Sequence, residues 1–288
     1  MTRRPVSSAD RGAGPYIRRF TPLYQILHVL VIVSFLGLVA TGLPLRFAGA
    51  PWAAPLMALL GGPVAAGIIH RVFAIVTFGY FFTHLGHVTY RLLREDGARR
   101  LLWGPDSMVP RPKDVRDVIQ MFKWFVGRGP QPRFDRYSYM EKFDYWAVFW
   151  GFAIIGGSGL MLWFPIQTAS VLPGWVFNVA TLVHGEEAIL AAVFLFTVHF
   201  FNNHFRPDKF PLDIVMFTGA VSLEEFKREH AAEYKRLLES GELEKHLVDV
   251  PSRPMTIGSK ALGFTLITIG LILLILVIIG YTGSAGLA

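Results

Sequence analysis

The chain has 288 residues, of which 52% are hydrophobic and 17% charged, with a mean hydropathy of +0.42 and a formal charge of +7. Soluble domains carry about 25% charged residues, so the composition points to a membrane protein rather than to one or two soluble domains. There is no cysteine, which excludes disulfides, cysteine-ligated iron–sulfur clusters, zinc–thiolate sites and covalent CxxCH haem from this chain.

Residues 1–23 form a basic N-terminus with five Arg against one Asp. Five segments follow that are long and apolar enough to cross a bilayer as helices: near Tyr24–Leu43, Val64–Tyr90, Tyr145–Phe164, Trp175–Asn202 and Ala261–Tyr281. Each meets the requirement of about 20 apolar residues for about 30 Å of hydrocarbon, where backbone polar groups must be satisfied within the segment. The expected fold is all-α: a polytopic membrane protein with a four-helix bundle over residues 24–210 and a fifth, C-terminal transmembrane helix within 260–288. That fifth segment is nearly pure Leu, Ile, Val, Gly and Thr and reads as a lipid-facing anchor. The first apolar run lacks a small-residue cleavage site and carries a histidine, so it is expected to stay in the mature protein.

The connections set the orientation. Residues 50–63 are apolar, bounded by Pro and Gly and too short to span; they are expected along the outer interface. The 91–144 loop holds twelve Lys/Arg against eight acids, whereas residues 165–183 hold no charge. The positive-inside rule therefore places the N-terminus, the 91–144 loop and the 203–260 stretch in the cytoplasm. Within the loop, residues 104–113 form a Pro-rich turn region. In the 211–259 segment, Ser222-Leu-Glu-Glu225 is a capping box that opens a polar helix running to about Leu238 and broken at Gly241. The bases flank membrane spans and belong to no nucleic-acid-binding module, so no nucleic-acid partner is expected.

Six histidines fall inside the spans: His28, His70, His84, His87, His184 and His199. Ionisable groups at that depth are costly and usually functional, although one alone can simply bridge helices. Their spacing carries more weight. His70 and His84 are 14 residues apart, about 21 Å along a helix and on nearly the same face. His184 and His199 are 15 apart, about 22 Å and about 60° of rotation. The second and fourth spans run in the same sense, so His70 meets His184 near the outer side and His84 meets His199 near the inner side. Two such imidazole pairs suit two b-type haems stacked across the bilayer, since imidazole binds haem iron without sulfur or carboxylate help. A proton relay or histidine-dependent ion transport would also use His and Glu, but would not need this pairing. Arg71, beside His70, is a candidate haem-propionate partner, with snorkelling to the headgroups as the alternative.

Four stretches then carry a family resemblance: FTPLYQILHVLVIVSFLGLVATGLPLRF, HRVFAIVTFGYFFTHLGH, EKFDYWAVFWGFAIIGGSGLMLWFP and VHGEEAILAAVFLFTVHFFNNHFRPDKFP. Over roughly residues 15–210 the chain resembles the bacterial dihaem cytochrome b family. That family covers the cytochrome b561-like membrane subunits of formate dehydrogenase, Ni/Fe-hydrogenase and thiosulfate reductase. The resemblance implies axial ligands at His28, His70, His184 and His199, and so pairs His28 with His199, where helical spacing pairs His84 with His199. Both pairings stand at this stage. A third haem, using whichever of His28 and His84 is left over together with His87, is a further option. Cytochrome b/b6-type subunits of quinol:cytochrome c oxidoreductases fit less well, because no PEWY motif occurs.

The resemblance also implies an electron-transfer subunit of a quinone-linked respiratory oxidoreductase in a bacterial inner membrane, with menaquinone or ubiquinone as substrate. Candidates for the quinone site are His87, Lys142, Asp144 and Tyr145 at the inner membrane edge, along with Asn202 and Asn203. Glu186 and Glu187 lie near the outer haem level. No extramembrane segment is large enough to hold a catalytic centre, which implies a periplasmic partner: a multihaem c-type cytochrome, an iron–sulfur protein or a molybdoenzyme.

Overall fold

The computed structural model describes residues 14–95 and 97–285. The first thirteen residues of the expected basic N-terminus lie outside this range.

All five expected spans form as long apolar helices: Pro22–Arg46, Gly62–Arg94, Tyr139–Trp163, Trp175–Phe205 and Arg253–Gly283. The chain is thus largely helical and consistent with a polytopic membrane protein. In chain order, strand β1 (Tyr16–Arg18) leads into helix α1 (Pro22–Arg46), the short α2 (Ala53–Leu59) and the long α3 (Gly62–Tyr90). Gly61 and Gly62 separate α2 from α3 with φ of 84° and 87°. Side chains with a Cβ avoid that left-handed region, so the reversal there relies on glycine. After α3 come α4 (Gly97–Trp103) and α5 (Pro112–Phe125) in the basic loop. The third span is α6 (Tyr139–Gly151), a π-helical turn at Phe152–Gly156, and α7 (Gly157–Trp163), followed by the short α8 (Pro165–Val171). The fourth is α9 (Trp175–Phe194), extended by π-helical turns at Leu195–His199 and Phe201–Phe205. The remainder is α10 (Val215–Thr218), β2 (Ala220–Ser222), α11 (Leu223–Glu229), α12 (Ala231–Glu239), α13 (Leu243–His246), β3 (Leu247–Val248) and α14 (Arg253–Ala285).

The chain divides into two compact units. One gathers the described residues through Ile26, Leu85–Tyr145 and Asp213–Ala261. Its centre is a three-stranded antiparallel sheet in the order β2-β1-β3, in which Ile17 faces Val221 on one side and Leu247 on the other. This small sheet is the one departure from an all-helical chain among the described residues. Ile17 anchors a core with Val221, Phe226 and Leu237. Around it, Glu233 accepts from Arg19 at 2.7 Å and from Arg136 at 3.1 Å, while each arginine also donates to the other's backbone carbonyl at 2.6 Å. The basic N-terminal segment, the 91–144 loop and the 211–259 segment are thereby closed into one body. The expected helix start forms, with the Ser222 side chain capping it by accepting from the Glu225 amide. The helix it opens is shorter than the polar pattern suggested. It breaks at His230, whose buried ring is held by the Asp135 carbonyl at 2.8 Å and packs on Phe226. A tertiary contact thus overrides helix continuity, and α12 then ends before Gly241 at φ 69°.

The second unit comprises Leu27–His84, Trp146–Leu212 and the chain from Leu262 on. Its core joins Leu36, Val39 and Leu43 of α1, Phe47 just past its end, Ile189, Ala192, Phe196 and Phe200 of the fourth span, and Ile267, Leu273 and Val277 of α14. The expectation of a merely lipid-facing fifth helix is corrected here. One face of α14 is built into the bundle, and Gly270 lets it approach so closely that a Cβ there would fall 2.8 Å from Phe200. Its isoleucine-rich opposite face stays exposed. Mean hydropathy cannot distinguish these two faces, because both are apolar.

Candidate functional site

The second unit brings His70 of α3 and His184 of α9 together, their ring centroids 6.2 Å apart and their planes at 67°. Each ring rests in a matching cradle. On α1, the Thr41 hydroxyl lies 2.8 Å from His70 Nδ1, and Gly42 sits beside Cε1. On α7, Ser158 lies 3.3 Å from His184 Nδ1, and a Cβ on Gly159 would meet His184 Cε1 at 3.0 Å. Thr41-Gly42-Leu43 and Ser158-Gly159-Leu160 are thus the same small-polar, glycine, leucine triplet used twice, on the first and third spans.

These contacts define the tautomers. His184 Nδ1 is 2.9 Å from the Ile155 carbonyl, which can only accept, so Nδ1 carries the proton and Nε2 the lone pair. The Thr41 hydroxyl donates to the Gly37 carbonyl at 2.7 Å and therefore accepts from His70 Nδ1–H. In the neutral form each ring leaves Nε2 available to a Lewis acid, oriented through its other nitrogen in the manner of metal-binding histidines. A metal–imidazole bond of about 2.0 Å on each side, plus about 1.1 Å from each nitrogen to its ring centre, spans about 6.2 Å in total. The centroid separation of 6.2 Å equals that sum, so the two rings are far enough apart to take one ion between them. Among the described residues no group of three or more His, Cys, Asp or Glu is placed to hold a metal. A bare ion would find only two ligands here, whereas haem iron brings four of its own and needs only two more. The donor set therefore fits haem.

Charged neighbours at this level are already paired. Arg71 lies over the Trp163 ring at 5.8 Å. Arg46, which sequence reasoning left unassigned, is ion-paired with Glu186 and lies against Gly185. Glu186 also accepts from Tyr281 of α14 at 3.2 Å, and Glu187 accepts from Trp150 at 3.3 Å.

At the other level, His28 of α1 lies within electrostatic range of both His199 and His204. His199 and His204 have ring centroids 6.5 Å apart. The Asn203 amide donates to the His199 carbonyl at 2.9 Å and lies 3.1 Å from His199 Nδ1. The ring of His84 packs edge-on against Phe149 of α6, at 6.3 Å. His204 was missed because it follows the apolar run; its only signal was the HFFNNHF spacing. The π-helical turn at Leu195–His199 also bears on register. Such a turn absorbs one extra residue, so the 15-residue step from His184 to His199 behaves like the 14-residue step of an unbroken helix.

The quinone-site candidates His87, Lys142, Asp144 and Tyr145 belong to the first unit, whereas Asn202 and Asn203 belong to the second. His87 packs edge-on against Tyr24 at 5.6 Å, and Tyr145 lies within electrostatic range of Tyr24 and Tyr137. Tyr24, unnoticed in the sequence, thus joins the ends of three spans. Lys142 is only 2% exposed and donates to both Asp114 carboxylate oxygens, at 2.9 and 2.8 Å. Its ammonium is committed to that ion pair. Asp144, near the start of α6, and Asn202, near the end of the fourth span, are each half-buried. Comparison with protein-family models and with curated proteins finds no match to this chain.

Proposed function

We propose that the protein is a dihaem cytochrome b-type membrane subunit that carries electrons between membrane quinone and a redox partner on the periplasmic face. The observation that carries this reading is the His70–His184 pair. Its two imidazoles are each oriented through Nδ1, their ring centres are 6.2 Å apart, and among the described residues no group of three or more His, Cys, Asp or Glu is placed to hold a metal. Two neutral imidazoles bonded through Nδ1 have only Nε2 lone pairs left to offer, and a cationic centre would satisfy both. When bound there, haem supplies one-electron exchange. The chain's own part is to hold and orient. Thr41 and the Ile155 carbonyl fix the tautomers, Gly42 and Gly159 leave room for the rings, and the apolar helices exclude water.

At the second level, His28 and His199 are the proposed ligands. Their support is the family resemblance and the clustering of His28 with His199. His84 remains the alternative from helical spacing. The Tyr24, His87 and Tyr145 group supplies hydroxyl and imidazole donors suited to quinone carbonyl oxygens and to the protons a quinone exchanges. The positive-inside distribution supports a cytoplasmic N-terminus in a bacterial inner membrane. The family resemblance supports a separate periplasmic partner, whether a multihaem c-type cytochrome, an iron–sulfur protein or a molybdoenzyme.

A reduced-minus-oxidised visible spectrum of protein purified from haem-replete cells, with a haem-to-protein ratio, tests the proposal. Two b-type haems per chain are expected, falling to one in His184→Ala. A folded protein without b-type bands overturns the reading. His84→Ala is expected to keep both haems; loss of one would transfer the inner ligand role from His28 to His84.

A further inference from the structure

Helix α5 in the basic loop carries a feature that the haem and quinone sites do not use. At 100° per residue, Val115, Ile119, Phe122, Phe125 and Val126 fall within about 120° of one another, and all five are exposed, Phe122 at 68% and Phe125 at 72%. The helix is held from the other side. Asp114 and Asp117 are buried and ion-paired with Lys142 and Lys113, and Met121 is buried beside them. Both acids of α5 are therefore turned away and neutralised. The bases Arg116 and Lys123 are exposed along one edge of the apolar stripe, and Arg128 is exposed just past its end.

We propose that this face of α5 is a lipid-binding surface, lying in the interface of the adjoining leaflet with its apolar stripe among the acyl chains and its bases on anionic headgroup phosphates. Three observations favour lipid over protein. The loop is tied to membrane spans at both ends, at Arg94 and at Tyr139, so a bilayer surface is always within reach. An exposed apolar stripe edged by bases is the pattern of in-plane interfacial helices, which sink about 5–10 Å below the headgroups, and clustered bases beside a span favour anionic lipid. A second copy of the chain would bring a like-charged edge against this one, which disfavours self-association through it. The inference is independent of haem binding.

Because the native chain has no cysteine, single-cysteine labelling reads this surface directly. Full-length Phe122→Cys and Lys235→Cys, each carrying an environment-sensitive fluorophore, are reconstituted in nanodiscs of phosphatidylcholine with or without phosphatidylglycerol. Lys235 is the water-facing control, with its side chain 70% exposed on α12. Lipid-borne spin labels near the headgroup are expected to quench the Phe122→Cys probe several-fold more than the control, with a blue-shifted emission, and more strongly when phosphatidylglycerol is present. Adding Arg116→Glu, Lys123→Glu and Arg128→Glu should remove the phosphatidylglycerol increment. Equal, weak quenching at both positions overturns the proposal. So does a blue-shifted Phe122→Cys probe that lipid-borne quenchers do not reach, because protein would then cover the stripe. Quenching that ignores both phosphatidylglycerol and the three reversals overturns the assignment of anionic headgroups.

Discussion

Gly159 leaves the His184 ring no slack: a Cβ there would lie 3.0 Å from Cε1 and 3.3 Å from Nδ1. Gly159→Val should therefore push the imidazole off the Ile155 carbonyl and halve the haem content. Gly157→Val, whose Cβ meets nothing within 4 Å, should keep it; pyridine haemochrome assays of both variants check this. His230 makes a different residue-level prediction. Burial, reinforced by the Arg19 guanidinium, pushes it down to about 4, against the pull of Glu141 and Glu233. The unfolded chain, with histidine near 6.5, binds the proton first as pH falls. The unit is thus fully stabilised above about pH 6.5 and loses up to about 3 kcal/mol as pH drops toward 4. The opening free energy of α12 amides, from hydrogen exchange corrected for the intrinsic pH dependence, should fall over that window in the native chain and stay flat in His230→Gln. Some of this was legible in the sequence. His70 and His184 stood out because histidines are rare in hydrocarbon. The repeated Thr-Gly-Leu and Ser-Gly-Leu triplets were equally visible, yet their meaning depends on which helices meet. The burial of Lys142 against Asp114 was not legible, since the partners are 28 residues apart on different elements.

Among the elements, the fourth span shows how a helix can correct its own register. His184 and His199 stand 15 residues apart, one more than the spacing that restores a helical face, and the π-helical turn at Leu195–His199 takes up the excess. Deleting Thr197 should convert that turn to regular helix and leave His199 facing much as before, so two haems are expected. Inserting an alanine before Thr197 should rotate His199 by about 100° and leave one. Haem-to-protein ratios of the two variants distinguish these outcomes. Hydropathy located all five spans because length and apolarity alone define them. It did not locate the π-helical turns, which have no compositional mark. Nor did it show that α14 packs through Ile267, Leu273 and Val277, because in lipid a packed face and a free face draw on the same residues.

For the whole molecule, the proposed orientation follows from where the bases lie, and the cysteine-free background makes it testable. Gly49→Cys lies in an exposed turn after α1, with open space around its Cβ. It should react with a membrane-impermeant maleimide in intact cells, and Lys235→Cys should react only after permeabilisation. The opposite pattern would reverse the assignment of faces. The strand β1 adds a constraint of timing. It holds the middle of a sheet whose other strands begin at Ala220 and Leu247, roughly 200 residues further along the chain. At about 5–20 residues per second, the ribosome needs on the order of 10–40 s to supply the first neighbour, and by then the fourth span has been made. The earliest-synthesised strand of the described chain thus waits for both of its neighbours, and its pairing marks a chain that has been translated through all three histidine-bearing spans.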